Sequence, residues 1–246
     1  MALLSAYFDE TGLHQADVCI VAGFVGNDAQ WLAFIHDWVD AIKPAKNLHM
    51  RRLRWNQHPE STARRLAKLG PIPHKYNLRP VVAGLNWNDF DSIVKPVVDN
   101  KFVHPYIICA LIAIDVVLYE IAQDDEVMFY FDRQEGLRRE LMDELRNIMF
   151  DYLRMDKRVK GIEFIDREST VCLDPADYLA YIARERNLDF DSFRSRAGES
   201  IIGSGGNGGW IPAPYLKLIA DEQVNRRPIM DHIKELMQNP YWGGPE

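Results

Sequence analysis

LLSAYFDETG, residues 3–12, carries the first strand signal and the first acidic pair of the chain. Leu3 to Phe8 mixes small, apolar and aromatic side chains, the composition of a strand, and Asp9-Glu10-Thr11-Gly12 reads as that strand running into a turn. A second apolar run, Val18 to Val25, is closed by Gly26-Asn27-Asp28 and lies near enough to pair with the first as a hairpin. Asp28 is then expected to cap a helix reaching Ile42, because Trp31, Phe34, Ile35, Trp38, Val39 and Ile42 recur at helical spacing. Pro44 stops it.

Further along, a short helix is expected from Glu60 to Leu69 and a third strand from Leu78 to Trp87, with Pro80 marking an edge or bulge at its start. Asn88-Asp89 reads as a turn. Pro105 suits the first turn of a long apolar helix that ends near Ala122. Val127 to Phe131 is a fourth strand ending in Asp132, and a helix is expected from about Glu135 to Asp156. Gly161 to Ile165 is a fifth strand, and Asp174-Pro175 opens a helix to about Arg186, with Asp174 as its N-cap. A hairpin followed by strand–helix alternation implies an α/β fold with a mixed five-stranded sheet and helices on both faces, in ribonuclease-H-like order. The expected domain spans residues 1–199 with a helical and basic insertion around 28–76. Residues 200–246 form a glycine-rich loop and a short helical tail.

The bulk properties exclude several classes. The start of the chain lacks a basic segment before its short apolar stretch, so no signal peptide is expected. The apolar segment from Tyr106 to Ala122 contains Asp115 and Glu120 and is short for a membrane span. Cys19, Cys109 and Cys172 stand singly, without a CxxC pair, as expected of reduced thiols in a cytoplasmic protein rather than of a zinc site. Gly203 to Gly208 formally fits GxGxxG, but Pro212 and Pro214 block a following helix, so it reads as a loop.

Three carboxylates stand where parallel strands and a helix deliver side chains to one sheet edge: Asp9, Asp132 and Asp177. Such oxygen ligands suit Mg²⁺ or Mn²⁺, and a pair of these ions roughly 4 Å apart can clamp both oxygens of a phosphodiester displacement. Glu10 and Asp174 are auxiliary acids of the same site. Each of these acids also has a plain structural reading as a turn or cap residue. The net charge of −7 disfavours whole-surface binding to nucleic acid. Between Arg51 and Arg79, however, eight Arg or Lys residues face a single acid, Glu60. That segment is either a solvated face or a phosphate-contacting one, and His49, Arg51, Arg52 and Arg54 are its candidate substrate contacts.

The chain resembles a large bacterial family known as domain of unknown function 3800. The resemblance lies in AYFDETG (6–12), AGFVG (22–26), Trp31, Leu48-His49-Met50, FYFDR (129–133) and LDPADYLAYIAR (173–184). In the last motif the family has Gln where this chain has Asp174. The resemblance implies a ribonuclease-H-like fold and a candidate acidic site on residues 3–186, with no proven activity. The expected function is a metal-dependent nuclease in which Asp9, Asp132, Asp177 and Glu10 are catalytic, and Asp9, Asp132, Asp177 and Asp174 hold Mg²⁺ or Mn²⁺. The alternative is a non-catalytic nucleic-acid or protein-binding module, including a phage-defence or toxin component that needs a partner.

Overall fold

The computed structural model describes residues 1–12, 17–53, 59–96, 104–133, 156–188 and 207–211. β1 (Leu3–Thr11) and β2 (Val18–Asn27) pair antiparallel as expected. β3 (Arg79–Asn86) pairs antiparallel with β2, while β4 (Glu126–Asp132) lies parallel to β1 and β5 (Val159–Ile165) parallel to β4. A sixth strand, β6 (Asn207–Ile211), adds to the expected five and runs parallel to β3. The result is an open mixed sheet of order β5-β4-β1-β2-β3-β6.

Residues 18–26 of β2 are buried throughout, because the strand is covered on both faces. Alternation along the strands sorts the core into two layers. On one face Phe8, Val21, Ala83, Phe129, Phe131 and Phe164 pack against α5 (Pro105–Glu120), and Pro105 through Leu118 are all buried. On the other face Ile20, Ala22 and Phe24 meet α1 (Asp28–Ile42), α2 (Pro59–Leu69) and α6 (Asp174–Leu188). A short helix, α3 (Pro71–Lys75), precedes β3, and α4 (Trp87–Asp89) follows it. The helices between β2 and β3 thus include α1, α2 and α3.

Several expectations shift. β1 does not stop at Phe8 but continues through Thr11, and Gly12 takes the left-handed φ of 82° where the strand ends. Asn27, not Asp28, caps α1. Its side chain accepts from the Gln30 backbone N–H at 2.9 Å, and the Gln30 side chain accepts from the Asn27 N–H at 2.8 Å. Asn88-Asp89 is helical rather than a turn, because the Asn86 side chain accepts from the Asn88 N–H and starts α4. Asn207 to Gly209, expected as loop, are strand, since β3 offers them a free edge. Pro80 sits just before that pairing begins at Val81, where its missing N–H costs no ladder bond to β6. The helix expected over 135–156 lies outside the described residues, apart from Asp156 itself in the turn before β5, as does the tail beyond 211. No helix among the described residues is long and apolar enough to cross a membrane.

Candidate active site

Phe8 and Phe131 are partners in the β1–β4 register, so the next residues, Asp9 and Asp132, stand side by side at one edge of the sheet. They share the face on which Tyr7 and Tyr130 stack with ring centroids 4.7 Å apart. α6 lies across that face and contributes Asp177 from its first turn. β5 is parallel to β4, so the 3₁₀ turn that follows it, Arg167–Ser169, opens at the same edge. The expected carboxylates do converge, and what they converge on is Arg167.

The Arg167 guanidinium donates from Nε and Nη2 to Asp132 Oδ2 at 3.1 and 3.0 Å, and from Nη1 to Asp177 Oδ2 at 2.5 Å. Nη2 is also ion-paired with Asp9 Oδ2. The Asp9 side chain is 1 % exposed and that of Arg167 14 %, so the charges meet beneath the surface. Three carboxylates around one guanidinium leave a negative excess in a poorly solvated place. Burial and the Asp177 charge accordingly push the Asp132 carboxyl up to about 7.

Asp177 is the hub of a second set of contacts. Its Oδ2 accepts the Met50 backbone N–H at 2.7 Å, and His49 Nδ1 lies 3.1 Å from the same oxygen. His49 Nδ1 is also 3.2 Å from Arg167 Nη1, so the imidazole nitrogen either donates to the carboxylate or accepts from the guanidinium, not both. These bonds pin the turn Met50–Arg52 to α6, and Arg51 and Arg52 follow directly with exposed side chains. Met50 supplies the apolar anchor, at 2 % exposure.

Asp174 does not act as the N-cap of α6. The 3₁₀ turn Val171–Leu173 runs straight into the helix, and Asp174 already has helical backbone. Its fully buried carboxylate turns inward instead, where Oδ2 accepts from Trp38 Nε1 at 3.0 Å and from the Leu48 N–H at 2.8 Å. Oδ1 is buried with no hydrogen-bond partner, and burial pushes the carboxyl up to about 6. Asp174 and Asp177 therefore hold alternate residues of the Leu48-His49-Met50 segment by their backbone N–H groups, leaving the His49 side chain to face the site.

Glu10 falls on the opposite side of β1, with Phe8, because side chains alternate along a strand. Burial and the charges of Asp132 and Asp177 raise its carboxyl well above the usual range. Arg54 lies outside the described residues. Arg167 was not foreseen, although one signal was available: it is a cation in the first turn after a parallel strand, at the edge where the acids gather.

As arranged, no group of three His, Cys, Asp or Glu among the described residues is set to hold a metal ion. The donor chemistry nonetheless fits a hard divalent cation: carboxylate oxygens of Asp9, Asp132 and Asp177 converge on one place, where the cation ion-paired with all three among the described residues is Arg167. The chain matches none of the known protein families and none of the curated proteins with which it was compared.

Proposed function

We propose that the protein is a metal-dependent phosphodiesterase acting on nucleic acid, on a ribonuclease-H-like fold of the kind seen in domain of unknown function 3800. The strand order β5-β4-β1-β2-β3, with only β2 antiparallel to β1 and β3, supports the fold reading. The observation that carries the functional reading is that one side chain, Asp177, joins both halves of the machinery. It belongs to the carboxylate cluster and, through the Met50 N–H, fixes the turn bearing Arg51 and Arg52 beside it. A cationic turn anchored to an acidic centre is what a polyanionic backbone requires: cations for its phosphates, carboxylates at the reacting one.

Asp9, Asp132 and Asp177 would hold Mg²⁺ or Mn²⁺. Such an ion supplies an activated water and neutralises charge on the reacting phosphate. Arg51 and Arg52 position the backbone from outside, and His49 orients a phosphate oxygen or a water at the mouth. Glu10, whose proton is retained to a higher pH than an ordinary carboxylic acid's, is suited to hold a proton behind the site. The guanidinium seated among the acids favours a second reading, a non-catalytic nucleic-acid-binding module in which the cluster is purely structural.

Labelled single-stranded DNA, duplex DNA, RNA and RNA–DNA hybrid, incubated with Mn²⁺ or Mg²⁺, separate the two readings. The expected outcome is cleavage of at least one substrate, abolished by EDTA and by Asp9→Asn. Salt-sensitive binding that depends on Arg51 and Arg52, with no cleavage under any condition, would instead establish the binding module.

A further inference from the structure

We infer that Arg167 sets the metal affinity of the site by competing with the cation for the same carboxylate oxygens. The inference rests on the proposed metal site. Arg167 is ion-paired with the Oδ2 atoms of Asp9, Asp132 and Asp177. A divalent ion drawing on those oxygens cannot share them with a guanidinium at hydrogen-bond distance. The two cations would repel at close range in a poorly solvated place, and each oxygen's lone pairs would be contested. Occupancy by one therefore excludes the other.

Three features make Arg167 the displaceable partner. Its side chain is 14 % exposed, so it has a route to water that Asp9, at 1 %, lacks. It opens a three-residue 3₁₀ turn, between exposed Asp166 and Glu168, that is closed by Ser169 N–H and Oγ donating to the Asp166 carbonyl. Arg167 belongs to neither core layer. Finally, among the described residues Arg167 brings one positive charge to the three carboxylates, and a dication brings two to the same oxygens. Without metal, Arg167 keeps the acids from repelling one another and preserves the site. With metal, the guanidinium is released at the mouth, where a planar fork of N–H donors suits a phosphate.

The test is calorimetric titration of Mn²⁺ into the wild-type chain, Arg167→Gln and Arg167→Lys, with thermal melting of each in EDTA and in Mn²⁺. Arg167→Gln should bind Mn²⁺ roughly tenfold tighter than wild type, the coupling expected of two competing ligands. It should also melt lower in EDTA and gain more from Mn²⁺ than wild type does. Arg167→Lys, which keeps the charge but loses the fork, should fall between them, and it serves if the Gln variant does not fold without metal. Equal or weaker Mn²⁺ binding by folded variants, with wild type binding normally, would overturn the competition alone. Absence of Mn²⁺ binding in all three proteins would overturn the metal site and this inference with it.

Discussion

The two faces of the sheet are built from neighbouring residues and behave in opposite ways. Phe8 and Phe131 point to one face and stack with ring centroids 5.3 Å apart, and Phe131 meets Phe164 at 5.8 Å. One residue further along each strand, Asp9 and Asp132 point to the other face and into a cluster of like charges. At this edge the α5 face removes aromatic surface from water, which stabilises the fold. The α6 face loses free energy at the same sheet edge, because its carboxylates are desolvated and their only guanidinium among the described contacts is Arg167. At this sheet edge a one-residue step in β1 and in β4 passes from a packed aromatic layer to the acids that meet Arg167.

Two experiments challenge this contrast. The larger effect belongs to the apolar face. Phe131→Ala should lose about 3–5 kcal/mol of unfolding free energy in a denaturant titration, as expected for truncating a fully packed aromatic side chain. A loss below about 1 kcal/mol would mean that this face is not what holds the sheet. On the acidic face the smaller effect is one of pH. Asp174 has a folded-state carboxyl near 6, above its ordinary value, because it is buried. Its protonated form is therefore favoured by folding. That contribution is fully present below about pH 4 and is lost as pH rises through about 6. The stability of wild type relative to Asp174→Asn should fall by on the order of 3 kcal/mol between pH 4 and pH 7. A difference that stays flat over that range would show that Asp174 is not strained by its burial.

Much of the frame was legible because period and punctuation agreed. The β1–β2 hairpin, the α1 stripe of Trp31, Phe34 and Trp38, and the strand ending at Asp132 each combine a clear hydrophobic pattern with a turn or breaker. Asp9, Asp132 and Asp177 were legible as a set because parallel strands must deliver their ends to one edge. β6 was not, since Asn207-Gly208-Gly209 lacks strand composition and takes its strand form by pairing with the edge of β3. The inward turn of Asp174 was hidden because capping depends on the backbone of the residue before the helix, which the Val171–Leu173 turn preempts. Arg167 was missed for a different reason. An arginine between Asp166 and Glu168 reads as a solvated surface charge, and only the closing of the sheet edge directs it inward.

If the carboxylates around Arg167 form a metal site, crystals soaked in MnCl₂ will reveal it in anomalous diffraction. An anomalous peak bounded by the carboxylates of Asp9, Asp132 and Asp177, with the Arg167 side chain moved out toward solvent, is the predicted result. A guanidinium still seated on all three carboxylates, with no peak between them at saturating Mn²⁺, would contradict it.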